Sequence, residues 1–316
     1  VTTIAGKGAL DERHVLSLGT RLHILPYHEP SFRDADGLLL LGTQLSPVDW
    51  WLRAADMEVP LPAGARVTVQ VDVDPATLAD CERARPTGAL TLEADARYAC
   101  SALQEEFQRL LGRTGPPARW GGRAKELVQA AKAASDIPAA LAATLGMDFD
   151  SADSAGEQMR ATIRALHDAL PPDACVVADL CRLSYLAWSL LPSYRPRSFL
   201  YPCGAGPLGF GLPGAIGAAL ARPGTPVVAL LGDGGLQFSL PELAVAAEQQ
   251  LPILLLLWNN RSLGEVRHHL GDGFANFDPA AALPDFGLLC AAYGLRHVRC
   301  LGAADVEQAL RSAEVR

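Results

Sequence analysis

The residues best suited to hold a cation are a carboxylate set among glycines, Gly232-Asp233-Gly234-Gly235, and an amide pair, Asn259-Asn260. Each follows a short apolar run, Val227–Leu231 and Ile253–Trp258, of the kind that forms strands buried in a parallel sheet. Between them, Ser239-Leu240-Pro241-Glu242 has the form of a capping box with proline in the first helical turn. A helix is therefore expected from there to about Gln250, with Pro252 ending the turn. Such a strand–helix–strand unit delivers both polar tips to one sheet edge, where open α/β sheets bind ligands. A carboxylate oxygen from Asp233, an amide oxygen from Asn260 and a main-chain carbonyl near Ser262 suit a hard cation. Mg²⁺ takes about six oxygens and commonly shares one or two carboxylates with phosphates. Gly232, Gly234 and Gly235 would let backbone N–H groups approach phosphate oxygens with no Cβ in the way.

Other motifs carry less. Gly204-Ala205-Gly206-Pro207-Leu208-Gly209 fits the dinucleotide fingerprint, but no acid stands about 20 residues on to hold a ribose. His268-His269 are adjacent on a helical stretch, so they diverge and are read as solvated. Trp50-Trp51 is read as packing, and the small residues of Gly214–Ala219 as close helix contact.

The positioning elements follow from the pattern. Short apolar runs (Gly37–Leu41, Val67–Val73, Cys175–Ala178, Val227–Leu231, Ile253–Trp258) alternate with helical stretches such as Ala96–Leu111, Arg160–Leu170 and Leu240–Gln250. That alternation argues an α/β fold: two layered domains with mainly parallel sheets flanked by helices. The turn-rich Gly112–Gly122, an Ala-rich stretch at Ala124–Ala143 and the polar Met147–Glu157 break the chain. The expected division is a first domain over 1–111, a linker over 112–157 and a second domain over 158–316.

Composition excludes several classes. The chain has 316 residues, 49% of them hydrophobic, and 27 basic against 35 acidic residues give a net charge of −8. No basic stripe stands ready for a nucleic acid. No apolar run reaches the roughly 18–20 residues that span a bilayer. Seven scattered cysteines without a Cys-x-x-Cys pair read as reduced thiols of a cytoplasmic protein, not as a zinc site. The start at Val1-Thr2-Thr3-Ile4 lacks Met and falls mid-pattern, as if an N-terminal portion were missing.

Together Gly232-Asp233-Gly234 and Asn259-Asn260, 27 positions from Asp233 to Asn260, resemble the signature of thiamine-diphosphate enzymes of the acetolactate synthase and 2-oxo acid decarboxylase family. The similarity continues through Pro284-Asp285-Phe286 and Ala291-Ala292-Tyr293-Gly294. Upstream, Gly206–Pro213 resembles the segment cradling the aminopyrimidine ring. Thr3–Leu10, Ala35–Gly42 and Val71–Pro75 resemble the family's central domain, here truncated at its start, with the cofactor domain truncated at its end. The resemblance implies Mg²⁺ on Asp233, Asn260 and the Ser262 carbonyl, Leu208 as the prop that bends thiamine diphosphate, and the Gly206 carbonyl as acceptor for its 4′-amino group. It implies decarboxylation or carboligation of a small 2-oxo acid by a homodimer or homotetramer, with no nucleic-acid or membrane partner. Asp179–Tyr185 falls where related enzymes approach cofactor and substrate, with Tyr185 as a contact, and Tyr194–Leu200 is similar to decarboxylases of larger 2-oxo acids. No flavin is expected, because Thr43–Pro47 replaces the Arg- and Asp-bearing segment of FAD-binding members. The pyrimidine-binding domain, which carries the activating glutamate, has no counterpart here. No catalytic residue is therefore assigned to this chain, which alone is expected to be inactive. The rival reading is a non-catalytic folding or oligomerisation module.

Overall fold

The computed structural model describes residues 1–21, 35–45, 65–84, 88–114, 126, 128–129, 154–270 and 283–312. Ser46-Pro47, Trp50-Trp51, most of the Ala-rich stretch and 147–153 fall outside them, as do the side chains of His268 and His269. The chain divides into two units, Val1 with Arg21–Ala140, and Thr2–Thr20 with Leu141–Arg316.

The first unit holds a parallel sheet of β1 (Gly37–Leu41), β2 (Val67–Asp72) and β3 (Ala89–Glu93), in the order β1-β2-β3. Helix α1 (Pro75–Ala84) follows β2, and α2 (Ala96–Thr114) follows β3 and runs three residues into the stretch read as connector. Only β2 is largely buried; Leu39, Leu90 and Leu92 are exposed. The expectation of strands covered on both faces is not met at β1 and β3, where every position is exposed or half-buried.

Among the described residues from 154 onwards, the first element of the second unit is α3 (Ala155–Ala169), capped where Ser154 Oγ accepts from Glu157 N–H at 3.2 Å. There follow β4 (Cys175–Ala178), α4 (Arg182–Leu190), β5 (Phe199–Leu200), α5 (Gly211–Ala221), β6 (Val227–Gly232), α6 (Asp233–Gln237), α7 (Glu242–Glu248) and β7 (Ile253–Trp258). Helices α8 (Gly264–Leu270), α9 (Phe286–Ala292) and α10 (Ala303–Ser312) complete the described chain. The sheet is parallel, ordered β5-β4-β6-β7, with Ala178 opposite Leu230 and Leu230 opposite Leu256. Every residue of β4 and β6 is buried, whereas β7 is half-buried. Core side chains of α5, including Leu212, Ala215 and Ile216, cluster with Val177, Ala229 and Leu231. Helix α3 packs against α4 and α10.

The segment Thr2–Thr20, grouped with the first domain in the sequence, packs on the second unit. The tie is a buried ammonium: Lys7 Nζ donates to Glu12 Oε1 at 3.0 Å and to the Trp188 carbonyl at 2.9 Å. It also lies 5.4 Å from the centre of the Phe199 ring. A buried charge is tolerated only where it is paired and hydrogen-bonded, so these partners fix the segment on α4.

The helix expected from Ser239 also differs. Chain from Asp233 to Glu248 is α6 and α7 joined by tight turns, with Ser239 N–H donating to Leu236 O and Glu242 N–H to Ser239 O. The amides a capping box would satisfy already have main-chain acceptors, so the Ser239 hydroxyl caps nothing and is buried without a hydrogen-bond partner.

Candidate functional site

From β4 the chain crosses to β5 on one side of the sheet, then returns to β6 on the other. This reversal opens a crevice beyond the carboxyl ends of β4 and β6, the place where doubly wound sheets bind ligands. Two carboxylates occupy it: Asp179 directly after β4 and Asp233 directly after β6. Both are fully or almost fully buried.

Asp233 Oδ1 accepts from the Gly234 N–H at 2.8 Å, while Oδ2 is buried with no partner. Burial pushes its carboxyl pKa above the ordinary value, against the pull of the Gly234, Arg261 and Ser262 backbone N–H groups. The loop after β7 therefore lies against Asp233. In it Asn260 Oδ1 accepts from the Ser262 N–H at 3.2 Å, and Arg261 takes the left-handed conformation at φ 54°. A side chain at Gly234 would put Cβ 2.5 Å from Leu263 Cδ2, so the Leu263 side chain would have to shift for the loop to stay closed. Ser262 Oγ is a second buried atom with no partner. No three His, Cys, Asp or Glu side chains gather as a metal cluster among the described residues. A hard cation here would thus complete its oxygens from main chain and phosphate. An orphaned buried carboxylate oxygen facing a close-packed, glycine-lined loop fits such a cation.

Asp179 does a different task. Its Oδ1 accepts from Leu180 N–H at 2.7 Å, and its carboxylate takes Gly209 N–H at 3.1 Å and Gly211 N–H at 3.3 Å. Burial raises its pKa while these N–H groups oppose the rise. Asp179 thus holds the 206–211 loop, which contains Gly206 (φ 60°) and the half-buried Leu208, above the strand end. The loop presses on α6: a Cβ at Gly209 (φ 85°) would stand 2.7 Å from Phe238 Cβ, and one at Gly235 3.2 Å from Asp179 Oδ2. The two stretches singled out in the sequence, 206–211 and 232–235, meet through Asp179. The sequence placed Asp179 near the site without giving it this role; its signal was a carboxylate directly after a buried strand, as at Asp233.

Around the crevice, α4 contributes Arg182 and Tyr185, with Cys181 at its N-cap, and α8 contributes Glu265. Arg182 Nε lies 3.1 Å from Glu265 Oε1, both side chains about one fifth exposed. The Arg182 stem runs where Gly264 has no Cβ: an atom there would be 3.2 Å from Arg182 Cδ and 2.9 Å from Asn260 Nδ2. Burial drives the Tyr185 hydroxyl pKa well up, and the Glu265 charge adds to the rise. Tyr185 packs at a tilt against Trp188, ring centres 4.9 Å apart, and Trp188 meets Tyr201 edge-on at 4.4 Å. Cys181 is sealed against Gly232 and its thiol is pushed up to about 11 by burial, so it is inert.

Comparison with known proteins agrees with this geometry. Residues 180–315 match the family described as thiamine pyrophosphate enzyme, C-terminal TPP binding domain. The chain is 32% identical over 305 residues to a probable 2-ketoarginine decarboxylase of Pseudomonas aeruginosa, covering 93% of this chain and 47% of that protein. It is 24% identical over 328 residues to a probable acetolactate synthase large subunit of Methanococcus aeolicus, covering 99% and 51%. Among solved structures, the thiamine diphosphate-dependent 4-hydroxybenzoylformate decarboxylase of Rhodococcus jostii RHA1 aligns with a TM-score of 0.56 and 25% identity, over 88% of this chain and 46% of that one. The chain belongs to the thiamine-diphosphate enzymes of the acetolactate synthase and 2-oxo acid decarboxylase family. It spans about half the length of these relatives. No helix among the described residues is long and apolar enough to cross a membrane.

Proposed function

We propose that the whole protein decarboxylates a 2-oxo acid with thiamine diphosphate and Mg²⁺, the product being released or joined to a second carbonyl compound. The observation that carries this reading is the buried, unpartnered Oδ2 of Asp233 in the switch-point crevice. Asp233 and the Asn260 amide oxygen would hold the cation, with the Ser262 carbonyl as a third donor. Backbone N–H groups at Gly232, Gly234 and Gly235 would face the diphosphate. Leu208 would prop the bent cofactor, and the Gly206 carbonyl would accept from its 4′-amino group. Bound thiamine diphosphate supplies a ring that takes up the electrons freed when CO₂ leaves.

The chain's own contribution is placement. Asp179 fixes the loop bearing Gly206 and Leu208 through main-chain hydrogen bonds, so the cradle is formed before the cofactor arrives. The buried walls of β4 and β6 exclude water and strengthen each electrostatic contact within. No segment here resembles the one that supplies the activating glutamate in relatives, so turnover is assigned to the full-length protein, assembled at least as a homodimer, and not to these 316 residues alone.

Asp233→Ala in the full-length protein tests the reading. The variant is expected to lose thiamine diphosphate on gel filtration and to release no CO₂ from 2-oxo acids. Cofactor content and turnover equal to the parent's would overturn the assignment.

A further inference from the structure

The Arg182–Glu265 pair sits at the edge of the crevice, one residue beyond the loop that closes on Asp233. Glu265 lies in the first turn of α8, and its Oε1 is shielded from water and faces a guanidinium at 3.1 Å. The Arg182 stem passes beside Gly264, its Nε is shielded from water, and the side chain as a whole is about one fifth exposed. Burial raises the pKa of the neighbouring Tyr185 hydroxyl, the Glu265 charge adds to the rise and the Arg182 charge opposes it.

We propose that Glu265 is a specificity-determining residue that receives the guanidinium end of a 2-oxo acid substrate in exchange for Arg182. The inference rests on the 2-oxo acid reading above and names the substrate class of that same site. The internal arginine shows that the pocket accommodates a guanidinium against this carboxylate. Trading one guanidinium for another leaves the shielded carboxylate facing a cation throughout. A neutral tail gives Glu265 nothing in return for displacing Arg182. An anionic tail would meet the Glu265 carboxylate as a like charge. The named activity of the Pseudomonas aeruginosa relative, on 2-ketoarginine, has this chemistry at its far end.

The test uses the full-length protein and an unreactive probe, 5-guanidinopentanoate, against its neutral counterpart hexanoate, by titration calorimetry. The guanidinium probe is expected to bind at least roughly tenfold more tightly than hexanoate, as a charge-assisted hydrogen bond allows. Glu265→Gln should erase that ratio, whereas Arg182→Met, which removes the internal competitor, should enlarge it. Variants that leave the ratio unchanged, or move it in the same direction, overturn the proposal. In parallel, CO₂ release from 2-ketoarginine, 2-oxohexanoate and 2-oxoadipate separates the two levels. Release without preference for 2-ketoarginine overturns the substrate class alone, while no release from any 2-oxo acid overturns the parent reading and the inference with it.

Discussion

After β2 in the first unit, Asp72 Oδ1 accepts from Asp74 N–H at 3.0 Å, and Asp74 accepts from Ala76 N–H at 3.0 Å and from the Thr77 hydroxyl at 2.9 Å. After β4 and β6 in the second unit, Asp179 and Asp233 stand at the same topological position, the carboxyl end of a parallel strand. The local partners differ in sequence distance and in completeness. Asp74 bonds within three residues and starts α1, and these hydrogen bonds hold its pKa below the ordinary value. Asp179 reaches 30 and 32 residues along the chain, Asp233 keeps an oxygen without a partner, and burial raises both. A strand-end carboxylate thus serves either to finish local structure or to wait for something else, and burial with incomplete pairing distinguishes the second.

The sharpest way to break this contrast is Asp179→Ala. Leu180, Gly209 and Gly211 would lose their buried acceptor together. Unsatisfied buried N–H groups cost about 1–3 kcal/mol each, so a loss of about 3 kcal/mol or more in urea unfolding is expected. Thiamine diphosphate should also bind more weakly, since the 206–211 loop loses its tether. A variant as stable as the parent would mean that the loop holds itself and that Asp179 is no more than a strand cap.

Asp233→Asn should act in the opposite sense on the cofactor-free protein. The folded-state pKa is raised, so folding favours the protonated carboxyl. The stabilisation it gives is full below the unfolded value of about 3.9 and is lost as pH rises through the folded value. Asparagine removes the charge that the folded state bears at neutral pH. The apo variant should therefore melt a few degrees above the parent at pH 7, with the gain vanishing toward pH 4, while cofactor retention collapses. Equal melting curves at both pH values would place Asp233 among the satisfied carboxylates of the first unit.

How far this was legible in the sequence depends on whether the cause was local. The strands at Gly37–Leu41, Cys175–Ala178 and Ile253–Trp258 fall where the apolar runs put them. Strand β5 has two residues and leaves almost no periodic signal. The capping pattern was read at Ser239–Glu242, where preceding turns already supply acceptors, and overlooked at Ser154–Glu157, where the Ser154 hydroxyl accepts from the Glu157 N–H at the start of α3. Asp233 was legible because its glycines and the Asn pair flank one strand–helix–strand unit. The Asp179 bonds to Gly209 and Gly211 and the Arg182–Glu265 pair are non-local, and one sequence holds no record of which distant residues the topology brings together.

The smallest effect belongs to Asp74→Ala. Asp74 precedes Pro75 at the first position of α1, and its carboxylate takes the Ala76 N–H and the Thr77 hydroxyl. The alanine variant leaves one backbone N–H at the helix start without its side-chain acceptor. That N–H lies near the surface, where water can replace the lost oxygen, so melting should fall by only a few degrees. Because the lowered pKa marks stability gained by the charged form, the parent should lose the same few degrees on acidification below its ordinary carboxyl value, and the variant should not. Thiamine diphosphate content and CO₂ release should match the parent's in every preparation. A cofactor defect from Asp74→Ala would show that strand-end carboxylates of the first unit also serve the site, and the distinction by burial and incomplete pairing would no longer hold.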